Sequence, residues 1–243
     1  DDPFSEKLDL SDCKLDDLPD VFGDEEVMGR LQDLNLSRNY LKTLPDSINA
    51  LRNLRALNLS NNKFSYLSNI SENFTLLEEL DISLNHFRNL PGFVCHCQTL
   101  LKLNLNNNSL GGLPTTFRNL TSLKKICLGD NRLSFFPKEL TFLNSLEDLY
   151  LNGNKISVFP NFLFGELPSL KRLNLSENQL ISLPDSIGFF KELKVLSVGG
   201  NLLTSLPPSL KNLVNLEKLI LFDNRFESFP EIFDSFEKIK ELS

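Results

Sequence analysis

Cysteine, histidine, basic charge and long apolar runs are all scarce in this 243-residue sequence. No apolar stretch approaches the roughly eighteen residues that a membrane-spanning helix needs. Lysine and arginine number 25 against 32 aspartates and glutamates, a net charge of -7. That balance argues against a nucleic-acid partner, whose phosphates attract basic stripes. The only histidines are His86 and His96. Gly111-Gly112 and Gly199-Gly200 lack the spacing of a phosphate-cradling loop. Ser, His and Asp occur in no constrained arrangement, and Cys13 has no evident base beside it, so a nucleophilic site is not indicated. The four cysteines, Cys13, Cys95, Cys97 and Cys127, are irregularly placed, which favours a reducing compartment.

What the chain has in abundance is a repeated phrase, written out at Leu100-Leu-Lys-Leu103-Asn-Leu105-Asn-Asn-Asn108-Ser-Leu110-Gly-Gly-Leu113-Pro114. Copies open at Leu31, Leu54, Leu77, Leu100, Leu123, Leu146, Leu170, Leu193 and Leu216, every 23 residues with one step of 24. An incomplete copy precedes them around Leu8-Asp-Leu10, and another begins at Ile239. Ten copies and part of an eleventh imply a solenoid of stacked supersecondary units. Counting each opening Leu as position 1, positions 4 and 6 alternate with polar residues as a short strand does. Stacked in parallel, such strands need a long crossover, which the second half of each copy supplies.

Asn recurs at position 9, from Asn39 to Asn224, where its amide can satisfy buried backbone groups as the chain leaves the sheet. Cys13 holds that place in the first copy. Pro recurs at position 15 and suits the start of a short 3₁₀ or single-turn α piece. Three copies depart from the wording. The link Val21–Gly29 reads as an acidic bulge or longer helix. The segment Leu67–Phe74 lacks Leu-Pro, and one residue is inserted near Phe164-Gly-Glu-Leu167. These read as tolerated irregularities on the convex side. Cys95-His96-Cys97 offers too few metal ligands, and Cys97 falls at a normally buried position, so both cysteines read as core.

Positions 3, 5 and 7 point out of the sheet, opposite to 4 and 6, and should form an extended concave surface long enough for a protein partner. Most of it is bland Asn and Ser. The exceptions are Lys102, Lys125, Arg172 and Lys218 at position 3, interspersed with Glu79 and Asp148, and the apolar Tyr150, Val195, Ile220 and Phe222 in the later copies. The mixed charges suit either an acidic partner or a solvated face. Apolar side chains facing water suit either a binding patch or cover by further repeats.

These residues resemble the leucine-rich repeat family over essentially the whole chain. The phrase Leu-Pro-x-Ser-Ile-x-x-Leu-x-x-Leu, at Leu44 to Leu54 and Leu183 to Leu193, is similar to the intracellular Ras-group subclass, which includes Ras suppressors, Ras-effector scaffolds, Erbin and Scribble. The resemblance implies an α/β horseshoe with a parallel sheet on the concave face and short 3₁₀ or α turns on the convex face. It implies a non-catalytic, cofactor-free and metal-free interaction scaffold, cytoplasmic, with membrane association through a partner left open. The partner implied is a signalling protein such as a Ras-like GTPase or a phosphatase. Secreted members close their ends with cysteine-rich caps, absent here. Against that stand seven glycosylation sequons, at Asn35, Asn58, Asn69, Asn73, Asn107, Asn119 and Asn174, three of them produced by the repeat's own Asn-Leu-Ser wording. We expect residues 1–243 to form a single repeat domain taken from a longer chain, the last copy being cut short and the first residue being Asp. Two alternatives stay open: the regulatory repeats of a phosphatase, cyclase or kinase, and an extracellular recognition or adhesion domain.

Overall fold

The computed structural model describes residues 6–24, 28–70, 74–162, 165–227 and 238–243. It contains two compact units, Asp1–Leu123 and Lys124–Ser243. In the first unit, five strands follow one another in parallel: β1 (Lys7–Asp9), β2 (Asp33–Asn35), β3 (Ala56–Asn58), β4 (Glu79–Asp81) and β5 (Lys102–Asn104). In the second, six do the same: β6 (Lys125–Cys127), β7 (Asp148–Tyr150), β8 (Arg172–Asn174), β9 (Val195–Ser197), β10 (Lys218–Ile220) and β11 (Glu241–Leu242). Pairing keeps equal repeat positions opposite each other, Leu57 beside Leu34 and Leu80. The 24-residue copy does not disturb this, because Leu149 still lies opposite Leu173. Its extra residue is taken up in the crossover near Gly165 and Leu167, both of which have positive φ.

The α/β solenoid expectation is met: parallel strands alternate with short 3₁₀ turns, and no long helix occurs among the described residues. The alternation of the strand segment explains the core. Position 4 is buried in Leu34, Leu57, Leu80, Leu149, Leu173 and Leu196, and position 6 in Leu36, Leu59, Ile82, Leu151, Leu175 and Val198. Each such side chain contributes about 1.5–3 kcal/mol by leaving water.

Six 3₁₀ turns are described, at Asp46–Ala50, Gly92–His96, Thr115–Asn119, Lys138–Phe142, Asp185–Phe189 and Pro208–Asn212. Each follows a Pro of the repeat. Pro45, with φ fixed at -67°, leaves its carbonyl free to accept the first i to i+3 bond from Ile48 N–H at 3.1 Å. The third residue of each turn, such as Ile48, Phe117 or Leu210, plugs the core. Of the irregular link Val21–Gly29, residues 25–27 lie outside the described part, and Met28 N–H donates to Asp24 O at 2.8 Å, a helical i to i-4 bond. Residues 71–73 of the Leu67–Phe74 segment and Phe164 also lie outside it.

The Asn ladder forms as its chemistry predicts. Asn62 Nδ2 donates to the carbonyls of Leu36 (2.9 Å) in the copy before and Leu59 (3.1 Å) in its own, while its Oδ1 accepts Leu41 N–H at 3.0 Å. Asn85, Asn154, Asn178 and Asn201 repeat the pattern. The exposed Cys13 thiol donates locally to Ser11 O at 3.4 Å.

One regularity is only partly written in residue types. The residue just before the ladder, position 8, has positive φ in all ten copies, as Asp12, Arg38, Asn61, Leu84, Asn107, Asp130, Gly153, Glu177, Gly200 and Asp223, between 52° and 64°. The left-handed step turns the chain out of the strand, and it lets Leu84 N–H donate to Asn106 O at 2.9 Å in the next copy.

Candidate functional site

The bland Asn and Ser of the outward sheet face have a local job. In the first unit position 5 is always Asp or Asn, and its Oδ1 accepts the backbone N–H of position 7. The bonds run from Ser11 to Asp9 (2.9 Å), Ser37 to Asn35 (3.1 Å), Ser60 to Asn58 (3.0 Å), Ser83 to Asp81 (2.9 Å) and Asn106 to Asn104 (3.2 Å). The Ser11 hydroxyl and N–H hold the Asp9 carboxyl below the usual carboxylate range. This face spends its polar groups on its own backbone.

The second unit abandons that arrangement. Asn174 still accepts Ser176 N–H at 3.0 Å, but Cys127, Tyr150, Ser197 and Ile220 stand at the other position-5 sites. Tyr150 and Ile220 carry no short oxygen to return to the chain, so their side chains are directed at whatever lies on the sheet.

Two clusters result. Around Tyr150, Lys125 Nζ sits 5.5 Å from the ring centroid, within cation–π range. Arg172 Nη1 donates to both Asp148 oxygens, at 2.7 and 3.0 Å. Burial, then the Asp148 charge, pushes the Tyr150 phenol up; the bond to Asp148 pushes the Arg172 guanidinium up. The second cluster holds Val195, Ile220 and Phe222, with Lys218 Nζ ion-paired to Glu241 at 2.6 Å. Phe222, 52% exposed, lies over Gly199. A Cβ on Gly199 would stand 2.6 Å from the Phe222 Cε1, so a larger residue there would displace the ring from this seat.

Between the clusters the floor is made of small residues. Ser176 and Ser197 are buried and share a hydroxyl–hydroxyl bond of 2.5 Å. Tyr150 on β7 and Ile220 on β10 are three strand steps apart, about 14 Å. They stand as two separate clusters rather than one patch, with Asn174 and Ser197 on the strands between them. The eight residues singled out by sequence are thus distributed: Lys125, Tyr150 and Arg172 together; Val195, Lys218, Ile220 and Phe222 together; Lys102 in the first unit, paired with Glu79 at 2.6 Å. Sequence reading missed Asp148 as the partner of Arg172, and it missed Gly199 and Ser197 as floor. The signal for the floor was a glycine at position 7, where Ser and Asn are usual.

Cys95 and Cys97 are buried as expected of core residues, and burial with the neighbouring Cys95 pushes the Cys97 thiol up to about 12. Among the described residues no group of three or more His, Cys, Asp or Glu is placed to hold a metal, and no helix is long and apolar enough to cross a membrane. Of the sequons, Asn107 and Asn119 are exposed, Asn69 gives its amide to Leu44 O at 2.6 Å, and Asn73 lies outside the described residues.

A family model described as leucine rich repeat matches residues 6–64, 98–156, 144–188 and 168–226. No curated protein sequence matches the chain. A leucine-rich repeat protein of Leptospira interrogans is similar at 30% identity and a TM-score of 0.68, over 95% of this chain and 69% of that one. The plant peptide hormone receptor RGFR1, solved in complex with RGF2, aligns at 29% identity and 0.75, over 98% of this chain and 43% of its own. The ectodomain of the Arabidopsis thaliana receptor kinase GASSHO1/SCHENGEN3, in complex with CASPARIAN STRIP INTEGRITY FACTOR 2, aligns at 27% and 0.74, over 93% of this chain and 31% of its own. The chain therefore spans less than half of either plant receptor chain.

Proposed function

The chain belongs to the leucine-rich repeat family, and from that premise we propose that it is a non-catalytic protein-binding module. Its second unit holds an extended segment of a protein partner across the Tyr150 and Ile220–Phe222 clusters. The observation that carries this is the change at position 5. The Asp and Asn side chains that serve the backbone in the first unit persist in the second at Asn174 and give way to Tyr150 and Ile220, which carry no short oxygen. Two relatives crystallised with bound factors support a peptide-like occupant. A signalling role inside the cell, with a Ras-like GTPase or phosphatase supplying the segment, is supported by the Leu-Pro-x-Ser-Ile phrase and by four cysteines that form no disulfide. Extracellular peptide recognition is the second reading, favoured by the similar receptor-kinase ectodomain and by the exposed sequons at Asn107 and Asn119.

The test is affinity capture with mass spectrometry on the unaltered chain, Tyr150→Glu, Phe222→Glu and, as a control, Lys102→Glu. Loss of an aromatic anchor costs about 2 kcal/mol or more, roughly thirtyfold in affinity. Partners should disappear with the first two variants and persist with the third. Equal recovery by all four, with unchanged circular dichroism, removes the site. A glycan at Asn119 of protein purified from its own cells decides for the second reading.

A further inference from the structure

The edge of the first unit where the chain leaves the sheet carries charge of one sign. In the copies opened by Leu31, Leu54 and Leu77, positions 9, 11 and 14 turn inward, as Asn62, Phe64 and Leu67 do, while positions 8, 10, 12 and 13 are exposed. Backbone bonds stitch these positions from copy to copy. At position 8, Arg38 N–H donates to Ser60 O and Asn61 N–H to Ser83 O, both at 2.9 Å. At position 10, Lys63 N–H donates to Leu41 O at 2.9 Å and His86 N–H to Phe64 O at 2.8 Å. The exposed side chains therefore stand as one surface, with Lys63 Nζ 4.7 Å from the Tyr40 ring centroid.

Arg38, Lys42, Lys63 and Arg88 lie on this surface and no Asp or Glu does, in a chain whose net charge is -7. On the sheet of the same unit, cations are answered by acids of the neighbouring copy: Lys7 by Asp33 at 3.3 Å, Arg55 by Glu78, and Lys102 by Glu79 at 2.6 Å. Among the described residues none of the four edge cations has such an acid. Three apolar side chains are interleaved with them, Tyr40, Tyr66 and Leu84, which are 48%, 61% and 50% exposed.

Extent decides the class of ligand. The three copies span about 10 Å. On one side the first copy, a step of about 4.8 Å away, presents exposed Asp12, Asp16 and Asp17 against Lys14 alone. On the other, the copy opened by Leu100 presents no charge from Asn107 to Gly112. The three aspartates lie within the ~8 Å over which charge acts at physiological salt, so an anionic plane or polymer running past the patch would be repelled. A short ligand that ends with the patch escapes that repulsion. The exposed Tyr40, Tyr66 and Leu84 call for apolar groups beside its carboxylates.

We propose that this edge docks a short acidic segment of a protein partner, with carboxylates on the four cations and apolar side chains against Tyr40, Tyr66 and Leu84. It stands independently of the clusters on the second unit's sheet. The probe is a fluorescent peptide of about eight residues, long enough at ~3.3 Å per residue to cross the patch. It interleaves glutamate with leucine and is titrated by anisotropy against the full chain. Binding should weaken about tenfold in Lys63→Glu and in Arg88→Glu, whose exposed positions leave the core intact, and should weaken as salt rises from about 0.05 M to about 0.5 M. It should survive in Lys102→Glu, which changes the net charge equally but away from the edge, and in Tyr150→Glu. Several outcomes overturn the assignment: no saturable binding, equal binding of a peptide with glutamine in place of glutamate, equal weakening by Lys102→Glu, or indifference to both edge variants. Lys63-dependent binding to phosphatidylcholine–phosphatidylserine vesicles without peptide binding overturns it in favour of a lipid surface. The same result with an oligouridylate gives the edge to a nucleic acid instead.

Discussion

A single amide carries much of the wiring between copies. Asn62 is buried and makes bonds to Leu36 O, Leu59 O, Ser60 O and Leu41 N–H. Replacing it with Ala strands several of these groups away from water, at about 1–3 kcal/mol for each buried group left unmade. Asn62→Ala should therefore lose about 3 kcal/mol or more in urea unfolding; a loss under about half a kcal/mol would show that water replaces the amide. The same reasoning was available from the sequence, because one amide residue type held at a fixed spacing from copy to copy points to a bonding role. The position-5 bonds were not available from it. Asn and Asp there looked like filler, and only the distance from Oδ1 to the position-7 N–H shows that they are occupied.

At the level of the element, the turn that leaves the sheet is set by the ladder and not by the residue in it. Position 8 is variously Asp, Arg, Asn, Leu, Gly and Glu, yet φ stays between 52° and 64°. Asp, Asn or Gly, which tolerate that region, stand there in seven copies, while Arg38, Leu84 and Glu177 show that the ladder imposes the turn on other types too. Leu84 is the least suited occupant, a branched side chain at φ 53° that is 50% exposed and so gains little from packing. Leu84→Asn should relieve about 1 kcal/mol of backbone strain and raise the melting temperature by about 2–4 °C, read by calorimetry. A lower melting temperature would mean that Leu84 packs better than its exposure indicates. The reverse case is Gly153, where an added Cβ would stand 2.2 Å from Asp130 Oδ1. The 3₁₀ turns, by contrast, were legible, because Pro announces each one and apolar residues three apart mark its buried side.

Across the whole molecule, repetition makes the interior copies of each unit equivalent and the outer strands different. Leu59 N–H donates to Asp81 O at 2.7 Å and Leu175 N–H to Ser197 O at 2.8 Å, each one residue past a strand flanked on two sides. Ser243 N–H donates to Leu219 O at 3.2 Å beside β11, whose residues are exposed. Hydrogen exchange should find Leu59 and Leu175 at least about a hundredfold more protected than Ser243; equal protection would mean that each unit opens only as a whole. The architecture was legible because ten copies average out local ambiguity. The candidate site was only half legible. The unusual residues could be read from the sequence, but their separation into two clusters depends on which strands carry them, and the seat of Phe222 depends on an absent side chain at Gly199. The ladder also has a direction. Asn62 completes the copy before it, closing Leu36 O and Leu41 N–H, as Asn85 does for Leu59 O and Phe64 N–H. A ribosome delivers copies in that same order, so each one is sealed only when its successor emerges. The growing chain therefore carries one unfinished copy at its trailing edge, and everything released before it is already closed.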